Sequence, residues 1–119
     1  MYRVGHFIKE HNMKDTNICI IGGGSRLWAI QFMKDLSYNK KTHGSLVLYD
    51  IDNESSIKNV EVANRIFKLN DSEGRFKVKA VSSLEEALKG IDLVIISIEP
   101  GLTECRYGDL VLPAEAGLL

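Results

Sequence analysis

Three consecutive glycines are the clearest candidate for a ligand-binding site in this chain. Gly22, Gly23 and Gly24 stand between an apolar run at residues 17–21 and Ser25. A strand that turns into a helix here would direct the first amide groups of the helix, which carry partial positive charge, into one crevice. Gly22 would make the turn, and Gly24 would let a pyrophosphate approach the backbone where a Cβ would collide. Ser25 could cap the helix or donate to a phosphate, so the turn predicts an anion site.

An acidic residue after the next apolar run is the second candidate. Asp50 ends the segment "SLVLYD", and an acid at the end of the neighbouring strand can accept hydrogen bonds from an adenosine ribose. Its charge, with Asp52 nearby, would repel a 2′-phosphate and so favours NAD over NADP. The glycine motif is incomplete, because the third glycine of GxGxxG would fall where Leu27 stands. Glycine turns also serve close packing and aspartates form turns, but the order of strand, glycine turn, helix, strand and acid favours dinucleotide binding.

Composition excludes several other classes of function. A chain of 119 residues has the length of one domain, and its net charge of −1 with 26% charged residues argues against nucleic acid as a partner. We find no secretion signal and no apolar run long enough to cross a bilayer, so we expect a cytoplasmic protein without a membrane partner. Cys19 is interpreted as a core thiol and Cys105 as a helix thiol. His6, His11 and His43 share no ligand spacing and are predicted to be solvated, so we assign no metal ligand and no catalytic residue.

Hydrophobic periodicity alternates between strand and helix four times after a polar leader at residues 1–16. Strands are predicted at residues 17–21, 45–50, 76–81 and 91–98, and the last of them is predicted to be buried. The first helix is predicted from Ser25, with Trp28 and Phe32 as packing residues. The second is predicted at residues 53–70, with Val60, Ala63 and Phe67 on one face.

The third and fourth helices are shorter. The third, at residues 82–90, is predicted to have Leu84, Ala87 and Leu88 inward and a capping box from Ser82 to Glu85 or from Ser83 to Glu86. A last helical segment is interrupted by Gly108 and closed by Pro113.

This alternation predicts an α/β fold, namely a Rossmann-like doubly wound parallel sheet in three layers with the strand order 3-2-1-4. Lys77 and Lys79 alternate with apolar residues in the third strand, which places that strand at a sheet margin. The direction of winding reverses between strands 1 and 4, and ligands bind at such a switch point.

Four segments together resemble a known family: "IIGGGS", "LVLYDID", "EALKGIDLVIISIEPG" and "GDLVLPAEAGLL". From about Asn17 to its last residue, the chain is similar to the amino-terminal part of the NAD-dependent glycoside hydrolases of family 4. These include α-galactosidases, α-glucosidases, α-glucuronidases and 6-phospho-glycosidases. The resemblance implies hydrolysis in which NAD transiently oxidises the sugar at C3, the aglycone leaves by elimination and water then adds. A divalent metal, commonly manganese, polarises the oxidised sugar in such enzymes.

Position by position, the resemblance implies a cofactor site. Gly22, Gly24 and Ser25 match the pyrophosphate turn, and Asp50 matches the ribose acid. The segment from Ile98 to Gly101 matches the loop that flanks nicotinamide and substrate. The predicted cofactor-binding residues are Gly22, Gly23, Gly24, Ser25, Asp50, Ile51, Ile98, Glu99 and Pro100.

The substrate side of that site is less typical of the family. The carboxylate of Glu99 stands where many phospho-sugar members have arginine, and it would repel a sugar phosphate. Arg106 and Asp109 could shape the substrate side or form a surface ion pair.

The resemblance also implies that the chain is a fragment. The family's metal ligands, acid and base lie beyond Leu119, so we predict a dinucleotide-binding domain at residues 17–112 and the start of a catalytic region at residues 113–119. Manganese and the sugar are expected only in the full-length protein, and the apolar edge of the fourth strand favours a homo-oligomer. Two alternatives stay open: a free-standing nucleotide-sensing module, or a fragment of a lactate- or malate-type dehydrogenase. The segment "EPG…GDLVLP" favours the glycosidase.

Overall fold

The computed structural model describes residues 15–99, 101 and 103–118, so most of the predicted leader and Pro100 lie outside the described residues. The elements in chain order are β1 (Thr16–Ile21), α1 (Trp28–Tyr38), β2 (Gly44–Tyr49), α2 (Asn53–Leu69), β3 (Phe76–Val81), α3 (Leu84–Ala87), β4 (Leu93–Ile96) and α4 (Thr103–Glu115). No helix within these ranges is long and apolar enough to cross a membrane.

The four strands form one parallel sheet in the order β3-β2-β1-β4. The predicted fold class and strand order are therefore confirmed. β3 lies at a margin, where Lys77 and Lys79 are exposed to solvent as their alternation indicates. The winding reverses beside β1, because β2 and β4 lie on its two sides, and this is the switch point at which a ligand is expected.

One face of the sheet holds most of the core. The inward-facing stripe of α1 includes Ala29 and Met33, and the inward-facing stripe of α2 includes Ala63 and Phe67. Residues three and four apart share one side of a helix, so these stripes pack on the same face of β1 and β2. The ring of Phe67 stacks on that of Phe76, with 5.7 Å between centroids. Full burial of each large apolar side chain contributes about 1.5–3 kcal/mol.

The opposite face is covered only by α3 among the described elements. Its buried cluster consists of Cys19, Val47, Val81 and Ala87. This single turn completes the three-layer arrangement, although it shields little of the sheet.

The prediction that Leu84, Ala87 and Leu88 of the third helix point inward is wrong for two of these residues. Ala87 is fully buried, but Leu84 and Leu88 each remain 44% exposed. A helix of one turn offers only a narrow face to the sheet, and the small Ala87 is the residue that meets it. Ser83 accepts a hydrogen bond from the Glu86 N–H at 3.1 Å, so the second of the two predicted capping pairs forms.

The last two elements also differ from prediction. The strand predicted as buried at residues 91–98 is shorter, and Leu93, Val94 and Ile96 are exposed. Among the described strands β4 pairs with β1 alone, so its outer edge meets no neighbour there. The last helix continues through Gly108 and Pro113 to Glu115. The prediction that the helix ends at Pro113 is wrong. A proline removes one backbone hydrogen bond, but near the end of a helix water can solvate the carbonyl group that loses its partner.

Candidate functional site

A cleft of about 480 Å³ opens where the carboxyl ends of β1, β2 and β4 meet. It is lined by Ile21, Gly22, Gly24, Ser25, Tyr49, Asp50, Ile51, Asp52, Ser55, Ser97, Ile98 and Glu99. The structure thus brings together the glycine turn, the acid after β2 and the loop after β4. Gly23 does not line the cleft, and Pro100 lies outside the described residues.

Gly22 makes the sharp exit from β1. Its φ is +95°, and a Cβ at this position would lie 1.9 Å from the carbonyl oxygen of Ser97. Its N–H and that of Gly23 both donate to the carbonyl oxygen of Tyr49, each at 2.9 Å. Only glycine fits here, because the turn needs a positive φ and passes directly against the end of β4.

The other two glycines are required by different neighbours. A Cβ on Gly23 would lie 2.7 Å from Cβ of Leu48, so this glycine lets the turn pack on β2. A Cβ on Gly24 would lie 2.8 Å from Cβ of Ser55 and 3.0 Å from Oδ2 of Asp50, inside the cleft. Gly24 therefore keeps the backbone exposed to whatever enters the cleft.

Ser25 acts as a cap for the following helix. Its Oγ accepts a hydrogen bond from the Trp28 N–H at 3.2 Å, and its own N–H donates to the carbonyl oxygen of Gly22 at 3.1 Å. The helix begins at Trp28 rather than at Ser25 as predicted, because the serine hydroxyl competes locally for the backbone donors. Trp28, predicted to pack, is 71% exposed, whereas Phe32 does pack on the core.

Asp50 joins the two loops that frame the cleft. Its Oδ2 accepts a hydrogen bond from the Gly24 N–H, and its Oδ1 accepts one from the Asp52 N–H, both at 3.0 Å. The carboxylate is therefore held at the mouth of the glycine turn with remaining lone pairs for a ligand. Ile51 beside it is 96% exposed at the rim.

Asp52 adds a second carboxylate to this rim by capping α2. It accepts hydrogen bonds from the Ser55 N–H at 3.2 Å and from the Ser55 hydroxyl at 2.6 Å. These bonds lower the pKa of the Asp52 carboxyl below its usual value, so the group stays ionised at neutral pH. Sequence reasoning noted its charge and missed Ser55, although an Asp three residues before a Ser at a helix start is a capping signal.

Asn59 is a further residue that sequence reasoning missed. It is 5% exposed on α2, and its Nδ2 donates to the carbonyl oxygens of Gly23 at 2.8 Å and Ser25 at 2.9 Å. The sequence did contain a signal. Asn59 stands on the inward stripe of the helix with Ala63 and Phe67, and a polar residue on such a stripe needs hydrogen-bond partners.

The loop after β4 closes the third side of the cleft. The Ser97 N–H donates to the carbonyl oxygen of Ile21 at 2.8 Å, and Ile98 is 60% exposed. Glu99 Oε1 lies 3.3 Å from Arg106 Nε, with both side chains largely exposed. Of the two roles open for Arg106, the structure shows an ion pair, with Glu99 as its partner. An exposed pair of this kind contributes about 0.2–1 kcal/mol.

Residues 15–99, 101 and 103–118 contain no group of three or more His, Cys, Asp or Glu side chains that could hold a metal ion. Cys19 is buried, which raises the pKa of its thiol, and Cys105 is exposed. His43 is not simply solvated as predicted, since its Nδ1 lies 2.5 Å from Oδ1 of Asp15.

Comparison with known proteins extends this picture. The family model described as family 4 glycosyl hydrolase matches residues 17–119. Alpha-galacturonidases from four bacteria align at 38–41% identity. For the one from Lachnoclostridium phytofermentans, identity is 38% and the alignment covers 93% of this chain and 24% of the relative. The chain therefore spans about a quarter of the length of such relatives.

Two solved structures are similar to most of this chain. A Bacillus subtilis protein has a TM-score of 0.71 and 39% identity, covering 87% of this chain and 23% of that one. The 6-phospho-beta-glucosidase of Thermotoga maritima, solved with manganese, NAD⁺ and glucose-6-phosphate, has a TM-score of 0.64 and 30% identity over 86% of this chain and 24% of that one.

Proposed function

Because the chain belongs to the family 4 glycosyl hydrolases, we propose that residues 17–112 form the NAD-binding domain of such a glycosidase. One observation carries this proposal: the Asp50 carboxylate lies 3.0 Å from the Gly24 amide nitrogen at the switch point of the sheet. A ribose acceptor and a diphosphate turn thus face one cleft, as a dinucleotide requires.

The cleft fits the cofactor by shape. Gly22 and Gly24 leave the backbone bare where side chains would collide, and the cleft volume of about 480 Å³ lies in the usual range for small-molecule sites. Bound NAD would supply a hydride acceptor. The chain's own residues would bind and orient it, and their arrangement favours this cofactor over a metabolite without a diphosphate.

Each predicted site residue receives a role in this proposal. The diphosphate lies against the turn at Gly24 and Ser25, with Gly22 and Gly23 shaping the turn. Asp50 accepts hydrogen bonds from the adenosine ribose.

The remaining predicted residues frame the two ends of the dinucleotide. Ile51 packs beside adenine at the rim, Ile98 and Glu99 flank nicotinamide, and Pro100 keeps the cofactor-binding role that the family resemblance implies. Asp50 and the ionised Asp52 place two negative charges where the 2′-phosphate of NADP would sit, so NAD is preferred.

The full-length protein would use this domain to hydrolyse glycosidic bonds. The alpha-galacturonidase relatives support an α-galacturonide as substrate. Manganese, present in the Thermotoga maritima structure, would take its ligands from residues other than those described. Family membership favours this assignment over a dehydrogenase fragment or a nucleotide sensor.

The sequence also supports a cytoplasmic location without a nucleic-acid partner. Cys105 is an exposed thiol, which suits a reducing compartment. The net charge of −1 gives no broad surface for a polyanion.

Calorimetric titration of the chain with NAD and with NADP tests the proposed function. We expect NAD to bind and NADP to bind at least about tenfold more weakly, because the 2′-phosphate meets two carboxylates. Tighter binding of NADP would contradict the role of Asp50, and binding of neither nucleotide would contradict the proposal.

A further inference from the structure

The Gly23–Gly24 peptide forms the second half of the glycine turn at the cleft. A peptide unit rotates by compensating changes in the dihedral angles on either side of it, and glycine resists such changes least of all residues. Both residues that flank this unit are glycines. The direction of its N–H must therefore be fixed by a contact from outside the turn.

Two side chains contact this unit: Asp50 accepts a hydrogen bond from its N–H, and Asn59 holds its carbonyl oxygen. The Nδ2 of Asn59 donates both hydrogens, one to the carbonyl oxygen of Gly23 at 2.8 Å and one to that of Ser25 at 2.9 Å. Asn59 is 5% exposed, so water does not compete for these bonds. A single rigid carboxamide thus holds two carbonyl groups of the turn toward α2.

Because a peptide unit is planar, a contact that holds its carbonyl oxygen also fixes the direction of its N–H. The two contacts of Asn59 therefore orient two N–H donors. The C=O and N–H of a trans peptide point to opposite sides. With the Gly23 carbonyl held by Asn59, the Gly24 N–H points away from α2 and reaches Asp50 Oδ2 at 3.0 Å. With the Ser25 carbonyl held, the Arg26 N–H likewise points away from Asn59.

We propose that Asn59 is a positioning residue that keeps the Gly24 amide on Asp50, which holds this carboxylate toward the adenosine ribose, and that aims the Arg26 amide for the diphosphate; this rests on the proposed function. Without Asn59 the Gly23–Gly24 peptide can flip, which turns the Gly23 carbonyl oxygen toward the Asp50 carboxylate. Asp50 then meets an acceptor and not a donor, and is displaced from the ribose. Asn59 itself touches no part of the ligand.

The test compares Asn59→Leu, which keeps the side-chain volume, with Asn59→Asp, which keeps the shape and loses both donors. The matched control is Asn70→Leu. Asn70 follows the other end of the same helix, and its Nδ2 donates to Ser37 Oγ at 2.7 Å. Each chain is titrated with NAD in a calorimeter at a temperature where circular dichroism shows it folded.

We expect both Asn59 variants to lose about tenfold to a hundredfold in NAD affinity, the range that corresponds to two lost hydrogen bonds. Asn70→Leu should lower the melting temperature and leave NAD affinity unchanged. Unchanged affinity in a folded Asn59 variant would overturn the proposal, as would an equal loss in Asn70→Leu. If the wild-type chain binds no NAD, the proposed function fails and this inference fails with it. A loss of NAD affinity that is confined to the Asn59 variants is a different outcome, and it supports the inference.

A spectroscopic signature separates positioning from a general loss of stability. In ¹⁵N-resolved spectra of the ligand-free chains, Asn59→Leu should displace the amide resonances of Gly24 and Arg26 most strongly, while those of the β1 strand stay in place. Uniform displacement along β1 and α2, or no displacement at Gly24, would show that Asn59 only ties the helix to the sheet.

Discussion

At the scale of single residues, the three glycines of the turn serve three different purposes. Gly22 adopts a positive φ against Ser97, Gly23 packs on Leu48, and Gly24 leaves the cleft open beside Asp50. The sequence predicts the tight turn and the open approach, because both follow from glycine lacking a Cβ. It could not predict the contact of Gly23 with Leu48, since that neighbour comes from another strand.

Gly24→Val is the residue-scale prediction. The new side chain would collide with Ser55 and with Asp50 Oδ2, which lie 2.8 Å and 3.0 Å from a Cβ there. We expect NAD affinity in calorimetric titration to fall by at least about tenfold, because the turn or the acid must move. The control is Gly108→Val, where a Cβ meets nothing within 4 Å. NAD affinity that survives in Gly24→Val would place the diphosphate elsewhere.

At the scale of elements, the sequence predicted best where a short local pattern decides the structure. β3 spans the predicted residues 76–81, since strict alternation is a local signal. The sequence prediction overestimated the burial of α3 and β4. Burial depends on which elements cover a face of the sheet and not on the apolar character of the segment alone. Asn59 was missed for the same reason, as its partners Gly23 and Ser25 are distant in sequence.

The exposed edge of β4 leads to an element-scale prediction. Unpaired backbone groups beside Leu93, Val94 and Ile96 form a template for pairing with a second copy. We expect sedimentation velocity to show concentration-dependent association of the chain. Ile96→Lys should weaken that association, because a charge at an edge strand opposes edge-to-edge pairing.

Leu69→Lys is the matched control for this experiment. Leu69 is 82% exposed at the end of α2, away from β4, and its substitution should leave the association intact. A wild-type chain that stays monomeric at high concentration would contradict the expected homo-oligomer.

At the scale of the whole molecule, the strand order creates the site. Residues from β1, from the loop after β2 and from the loop after β4 are far apart in sequence, yet their strands are neighbours and end at one edge of the sheet. This convergence could be predicted, since alternating strands and helices with right-handed crossovers permit few topologies. The partners of the Asn59 carboxamide could not be predicted, because they depend on how α2 packs over the turn.

A crystal structure of the chain soaked with NAD tests the central claim most directly. We expect density for the diphosphate against the turn at Gly24 and Ser25, with the adenosine ribose hydroxyls within hydrogen-bond distance of Asp50. Dinucleotide density elsewhere on the protein, with the Gly24 N–H donating to Asp50 Oδ2 and no ligand beside either group, would contradict the account.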